Sequence, residues 1–177
     1  MTITPYDSQN NLFVVDDFYP DELIEQFVST DHLSAAWKKE DWQEHYPRRR
    51  LMHEPGSIYE RMNSYVNSQL AAVAEAISME LIYSETGFWL DEPGFRMLPH
   101  IDNEGVAVSL QIYLNQNNND LGTIFYNPDK TVRHCFEYKL NTGYLMINGP
   151  AQLHGMGVAI PEGTYRISSY SWFYPKV

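Results

Sequence analysis

Residues 106–115 read VAVSLQIYLN, and their side chains alternate between two characters. Every second residue is aliphatic, whereas the residues between them include Ser109, Gln111 and Tyr113. Successive side chains of a β-strand point to opposite faces, so this pattern predicts a strand with one apolar and one polar face. Either the polar face lies in solvent, or it lines a barrel whose apolar outer face is covered by other elements. The second arrangement would create a binding site for a small molecule.

The chain around this strand, from residue 81 to the end, consists of short apolar and aromatic runs separated by Gly, Pro and Asn. These runs predict strands at 81–90, 94–101, 106–115, 121–127, 133–140, 143–148, 152–159 and 164–174. Strands do not alternate with helices here, which argues against a two-domain α/β protein. Eight short strands after a helical lead-in predict a jelly roll, that is, a cupin-like double-stranded β-helix.

Residues 1–80 are expected to be mostly helical and to buttress this β core. Residues 11–18 predict a short strand, and Pro20 then opens a helix, since its missing N–H does no harm in a first turn. A longer helix follows, and Ser57 and Glu60 have the spacing of a capping box at its start. Its apolar positions predict one stripe facing a sheet, at Ile58, Met62, Val66, Leu70, Val73, Ile77 and Leu81. We therefore expect a mainly β, α+β protein with a single domain over residues 1–177, its N-terminal helices packed on the major sheet.

The composition limits the classes of partner. With 12 basic and 23 acidic residues the chain has a formal net charge of −11, which repels a phosphate backbone and makes nucleic acid an unlikely partner. Cys135 is the one cysteine, so neither an internal disulfide nor a thiolate metal cluster is expected. No signal sequence and no apolar run of membrane-spanning length is present, so we expect a cytoplasmic protein with no membrane partner.

The run Arg48, Arg49 and Arg50 is the one basic cluster, and it predicts a solvated loop. The alternative is a rim that attracts an anionic substrate.

A few residues are candidates for chemistry. His100 and Asp102 lie two apart and share one face of a predicted strand, either as a polar pair or as metal ligands. His154 follows a predicted turn, where a single histidine is more often structural. Two imidazoles and a carboxylate suit non-haem Fe(II), because they leave neighbouring coordination positions open, although zinc is chemically possible. Arg166 and Ser168 share a face of the last strand; the arginine is either an exposed edge residue or a fork for a carboxylate.

The order of these residues, with His100 and Asp102 followed by His154 and then Arg166, resembles the 2-oxoglutarate- and Fe(II)-dependent oxygenases. The resemblance is strongest to the prolyl 4-hydroxylase-like branch. Two features carry it: the IYLN that ends the strand quoted above, and the opening VVDDFYP at residues 14–20.

The resemblance implies a set of cofactors and roles. It implies that His100, Asp102 and His154 bind Fe(II), and that 2-oxoglutarate and O₂ are co-substrates. It implies that Arg166 pairs with the distal carboxylate of 2-oxoglutarate, with hydrogen bonds added by Tyr113 and Ser168. Halogenating relatives lack the carboxylate ligand, so the presence of Asp102 favours hydroxylation.

The primary substrate is less well defined. On the strand that enters the His100–Asp102 pair, Trp89 stands near the place of a common tyrosine, so the resemblance does not identify proline as the target. Arg96 lies four residues before His100 and so shares its face of the predicted strand. Arg96 and Trp89 are candidate substrate-binding residues. A peptide or protein side chain and a small molecule both remain open. The other histidines, expected to be surface or packing residues, are His32, His45, His53 and His134.

Two other functions are compatible with the same fold. One is a jelly-roll binding module without turnover, and the other is a cupin-like metalloenzyme of different chemistry. A silent binding module would be free to lose any of the metal ligands or Arg166, and the other metalloenzyme would not require a carboxylate-binding arginine after the last ligand.

Overall fold

A computed structural model describes residues 1–7, 11–38, 47–51, 55–102, 105–115 and 119–176. Over these ranges the chain forms ten β-strands, three α-helices and two 3₁₀ turns, at His32–Ser34 and Asn119–Leu121. No helix in the described part of the chain is long and apolar enough to cross a membrane. His45 and His53 lie outside the described residues.

The strands form two antiparallel sheets. The major sheet has seven strands in the order β1-β2-β8-β5-β10-β4-β3, and the minor sheet has the order β7-β6-β9. The strand bounds are β1 Thr2–Asp7, β2 Leu12–Asp16, β3 Arg48–Leu51, β4 Leu81–Asp91, β5 Val108–Tyr113, β6 Thr123–Tyr126, β7 Val132–Cys135, β8 Gly143–Ile147, β9 His154–Met156 and β10 Arg166–Pro175.

Three helices, α1 (Asp21–Val28), α2 (Ile58–Ser68) and α3 (Leu70–Ile77), precede β4 in the chain. Pro20 occupies the N-cap position of α1, as predicted. At the start of α2 the Ser57 hydroxyl accepts a hydrogen bond from the Glu60 backbone N–H, and the Glu60 carboxylate accepts one from the Gly56 N–H. The capping box is therefore confirmed in outline.

Two apolar clusters lie on opposite faces of the major sheet. One joins the helices to the outer face and includes Met62, Val66, Leu110 and Ile112. The other lies between the two sheets and includes Tyr113 and Phe125. The apolar face of the strand at 106–115 therefore rests on the helices, and its polar face points into the space between the sheets. The predicted β-rich fold with helices on the major sheet is confirmed.

The apolar residues predicted to lie along one helix are divided between two helices, α2 and α3. Gln69 lies between α2 and α3 with φ −90° and ψ 1°, outside the helical region, so the helix is interrupted there. Leu81, the last residue of the predicted stripe, is the first residue of β4. Both helices still place their apolar residues in one cluster.

The segment 94–101 is not a regular strand, in contrast to the prediction. Gly94 has φ +86°, and Pro99 has no N–H to donate, so a continuous ladder cannot form. The segment pairs instead through single hydrogen bonds, and one antiparallel bridge joins His100 to His154.

The N-terminal 80 residues are also less purely helical than expected. Strands β1 and β2 form one edge of the major sheet, and β3 forms the other. The interpretation of Arg48, Arg49 and Arg50 as a solvated loop is wrong, because they lie in β3 and each is paired with an acid: Asp91, Glu92 and Glu85 respectively.

Candidate metal centre

Three candidate ligands meet between the two sheets. The bridge between His100 and His154 joins their backbones by two hydrogen bonds, of 2.8 and 2.9 Å. Asp102 lies two residues beyond His100, and its Oδ1 is 3.4 Å from His100 Nε2 and 3.7 Å from His154 Nε2. One ligand atom from each residue lies within 4.8 Å of the others. The sequence expectation that these side chains converge is met.

Both imidazoles have their other nitrogen engaged by a backbone carbonyl. His100 Nδ1 lies 2.9 Å from the Leu98 carbonyl oxygen, and His154 Nδ1 lies 2.8 Å from that of Gln152. A carbonyl can only accept, so each Nδ1 carries a proton, and Nε2 is the nitrogen of each ring that faces Asp102. Outer hydrogen bonds of this kind orient metal-binding histidines.

The charges of the site also suit a cation. Burial alone would raise the pKa of the Asp102 carboxyl, but hydrogen bonds from His100 and Tyr170 and the His154 ring together lower it. Burial lowers the pKa of His154, which keeps this ring neutral near pH 7. An ionised carboxylate and a neutral imidazole are the forms that bind a divalent metal.

The ligands line a cavity of about 260 Å³ between the sheets, here called the central cavity. This volume lies just below the range of about 300–1,000 Å³ found for small-molecule sites. The cavity is lined by the three ligands, by Arg48 and Arg166, by Gln111 and Thr123, and by the aromatic side chains Trp89, Tyr144, Tyr170 and Trp172, among others.

Arg166 is buried and lines the cavity, so its interpretation as an exposed edge residue is wrong. Its Nε donates to Oδ2 of Asp91 at 2.8 Å, its Nη2 forms an ion pair with the same oxygen at 2.7 Å, and its Nη1 donates to the Leu121 carbonyl at 2.9 Å. Asp91 also accepts from Arg48, whose Nε is 2.5 Å from Oδ1. Burial would raise the pKa of Asp91, but the two guanidinium groups hold it below its usual value.

Tyr113 and Ser168 lie one layer behind the cavity wall. The Tyr113 hydroxyl donates to Thr123 Oγ1 and accepts from the Thr123 backbone N–H, both at 2.9 Å. The Ser168 hydroxyl accepts from Gln111 Nε2 at 3.1 Å. Thr123 and Gln111 are the residues that line the cavity, and they hydrogen bond to each other at 3.3 Å. Tyr113 and Ser168 therefore do not line the cavity themselves. Each is hydrogen bonded to a residue that does.

The two candidate substrate residues have different positions. Trp89 is largely buried and lines the cavity, whereas Arg96 is exposed and does not. The irregular backbone of 94–101 explains the difference, because parity along a strand does not apply where no strand forms. Met97 lines the cavity instead. His32 stacks on Phe27 with ring centroids 3.9 Å apart, as expected of a packing residue.

Asp91, Tyr170 and Trp172 are not among the residues that the sequence predicts for the site, and the sequence-based interpretation of Arg48 as a loop residue is wrong. Tyr170 and Trp172 share the parity of Arg166 on one strand, so the alternation that located Arg166 could have found them. Asp91 and Arg48 gave no such signal, because their partners lie on other strands.

Comparisons with known proteins identify the fold. No protein-family model matches the sequence, and no curated protein matches it significantly. A Pseudomonas putida prolyl-4-hydroxylase matches with a TM-score of 0.73 at 17% identity, over 96% of this chain and 95% of that chain. A prolyl hydroxylase from Trichoplax adhaerens, in complex with a hypoxia inducible factor peptide fragment, matches with a TM-score of 0.73 at 14% identity, over 94% and 84%.

HygX from Streptomyces hygroscopicus, with nickel and 2-oxoglutarate bound, matches with a TM-score of 0.66 at 12% identity, over 94% of this chain and 84% of that chain. The chain therefore has the double-stranded β-helix fold of prolyl 4-hydroxylases and related 2-oxoglutarate-dependent oxygenases. The resemblance noted in the sequence is confirmed at the level of the fold.

Proposed function

We propose that this protein, which shares the fold of the prolyl 4-hydroxylase-like oxygenases, is an Fe(II)- and 2-oxoglutarate-dependent oxygenase that hydroxylates a C–H bond. One observation carries the proposal. His100 Nε2, Asp102 Oδ1 and His154 Nε2 converge on a cavity that a buried guanidinium, that of Arg166, also lines. A metal-binding triad and an anion-binding group in one enclosed space match the needs of a metal-bound keto acid.

The donor set fits Fe(II). Two imidazoles and one carboxylate are the donor set of a facial triad, which would leave the other coordination positions open. His100, Asp102 and His154 would hold the ion. Iron bound there would supply the activation of O₂, with electrons from the decarboxylation of 2-oxoglutarate. The overall reaction would convert substrate, O₂ and 2-oxoglutarate into hydroxylated substrate, succinate and CO₂.

The chain's own residues would bind and orient the co-substrate. Arg166 would bind the distal carboxylate of 2-oxoglutarate through its positive charge and through the N–H groups that do not donate to Asp91 or Leu121. Tyr113 and Ser168 would act indirectly, by fixing Thr123 and Gln111 at the cavity wall. Holding the co-substrate before O₂ arrives lowers the entropic cost of the reaction.

For the primary substrate we propose a peptide or a small molecule. The related structures named above include a prolyl hydroxylase with a peptide fragment, which favours the first. The side chains of Trp89, Tyr170 and Trp172 line the same cavity and offer an apolar surface against which a C–H group can be positioned.

The test is a comparison of wild type with His154→Ala. Under anaerobic conditions, wild type with Fe(II) and 2-oxoglutarate should develop a weak visible charge-transfer band, and with O₂ it should slowly form succinate even without primary substrate. His154→Ala should lose both signals. His134→Ala is the matched control, since His134 packs against Tyr6 and is not part of the triad.

Persistence of the band in His154→Ala would remove that residue from the ligand set. Absence of succinate from wild type over a broad panel of peptides and metabolites would favour the binding-module alternative. A product heavier by one oxygen atom, found by mass spectrometry of the same panel, would identify the substrate.

A further inference from the structure

A second arginine lies beside Arg166 at the central cavity. Arg48 of β3 and Arg166 of β10 both line the cavity, whereas Asp91 of β4, which lies between them, does not. The antiparallel register places the three in one row across the sheet, because Asp91 is paired with Arg166 on one side and with Arg48 on the other. All three are buried, with exposed fractions of 8% for Arg48, 0% for Asp91 and 2% for Arg166.

The charges of this row do not balance. Two guanidinium groups share one carboxylate, and no other carboxylate within the described ranges forms an ion pair with either of them. Among the described residues that line the cavity, Asp102 is the one acidic side chain, and it belongs to the candidate metal centre. A buried charge is costly unless it is paired. One further carboxylate in the cavity would neutralise the row.

The hydrogen-bond donors of these arginines also indicate that a further carboxylate can bind here. Asp91 accepts from Nε and Nη2 of Arg48 and from Nε of Arg166, whose Nη2 forms an ion pair with the same carboxylate, and the Leu121 carbonyl accepts from Nη1 of Arg166. Arg48 Nη1 donates to no residue in the described part of the chain. It therefore has two N–H groups available to a ligand.

The two guanidinium groups are held as neighbours. Nη2 of each contacts the same oxygen, Asp91 Oδ2, at 3.2 Å for Arg48 and 2.7 Å for Arg166. The rings of Phe95 and Trp89 lie 4.2 and 4.9 Å from the guanidinium carbon of Arg48 and restrict its plane. A carboxylate that reaches one guanidinium in the cavity is therefore next to the other.

We infer that Arg48 is a second guanidinium, beside Arg166, for the distal carboxylate of 2-oxoglutarate, and that Asp91 is the positioning residue that aligns both arginines. The inference rests on the proposed function, since it assigns the ligand to the co-substrate of that reaction. Arg48, the buried residue of the run, would thus bind the co-substrate, whereas Arg49 and Arg50 would not.

The experiment measures keto-acid binding to Mn(II)-loaded protein by calorimetry, without turnover. Two probes are compared: 2-oxoglutarate, and 2-oxovalerate, which has a methyl group in place of the distal carboxylate. Arg48→Gln should weaken 2-oxoglutarate binding about tenfold or more, the effect of losing hydrogen bonds to a charged group. Binding of 2-oxovalerate should stay within about twofold of wild type.

Arg49→Gln is the matched control, because Arg49 is the next residue in β3 and pairs with Glu92 at a partly exposed site. It should change neither affinity. Arg48→Lys keeps the charge but loses the planar fork, so it should weaken 2-oxoglutarate binding less than Arg48→Gln and serves if the glutamine variant does not fold. Thermal melting of each variant establishes that it is folded.

Three outcomes would overturn the inference. An unchanged 2-oxoglutarate affinity in both Arg48 variants would remove Arg48 from the co-substrate site. Equal weakening of both keto acids would assign Arg48 a purely structural role. Wild type that binds Mn(II) but not 2-oxoglutarate would overturn the proposed function itself, a result distinct from the other two.

Discussion

The two carboxylate oxygens of Asp102 have different neighbours. Oδ1 faces the two imidazole nitrogens, whereas Oδ2 accepts a hydrogen bond from the Tyr170 hydroxyl and lies 3.5 Å from Ser109 Oγ. The second oxygen is thereby held away from the two imidazole nitrogens, and the first is presented to the space where a metal ion would bind. Tyr170 therefore orients a candidate metal ligand and would be a positioning residue.

We predict that Tyr170→Phe lowers metal affinity about 10- to 100-fold, because Asp102 loses the group that fixes its plane. Competition with a coloured metal chelator measures this affinity. Tyr174→Phe is the control, since Tyr174 lies on the same strand and is exposed. Equal metal affinities for Tyr170→Phe and wild type would show that Asp102 is oriented by other means.

At the level of elements, the site depends on the contact between β9 and the irregular segment 94–101. Gly155 lies directly after His154, and a Cβ added there would be 2.8 Å from the Met97 carbonyl oxygen and 2.9 Å from Pro99 N. These are backbone atoms of the segment that carries His100. The absence of a side chain at this position lets the two histidines approach.

We predict that Gly155→Ala destabilises the fold by about 1–3 kcal/mol, as overpacking of a close contact does, and also weakens metal binding. Urea unfolding and a metal titration measure the two effects. Gly149→Ala is the control, because an added Cβ there meets nothing within 4 Å. Normal metal binding by Gly155→Ala would mean that the segment can shift without moving His100.

At the level of the whole molecule, buried carboxylates link stability to pH. Burial raises the pKa of Asp91, but the guanidinium groups of Arg48 and Arg166 outweigh this effect and lower the pKa in the folded state. The stabilisation is therefore fully present above the unfolded-state pKa of about 3.9 and is lost as pH falls through the lower folded-state value. Asp102, whose pKa is also lowered, contributes in the same direction.

We predict that Asp91→Asn lowers stability at pH 7 by about 3–5 kcal/mol, since it leaves two buried cations without their anion. It should also reduce the loss of stability as pH falls below about 3.9, which denaturant unfolding at several pH values measures. Glu92→Gln, which breaks the partly exposed pair with Arg49, should cost about 1 kcal/mol or less. The prediction fails if Asp91→Asn keeps the acid sensitivity of wild type.

The sequence by itself determined the features that depend on local pattern. The alternation at 106–115 identified which face of β5 is apolar, and the spacing of Ser57 and Glu60 located the start of α2. The order of His100, Asp102, His154 and Arg166 predicted the members of the candidate site, and the structure brings these four side chains to one cavity. In each case the signal lies in the direction of a side chain relative to its own element, which neighbouring residues fix.

Only the tertiary structure decided which side chains meet across elements. Strand parity gives the face on which Arg166 lies, but not that Asp91 and Arg48 stand beside it, because the register between β10, β4 and β3 sets those partners. Periodicity likewise could not detect the break at Gln69, which is neither Gly nor Pro. The register is fixed by the packing of the whole sheet against the helices, so contacts between distant residues follow from the fold and not from any single stretch.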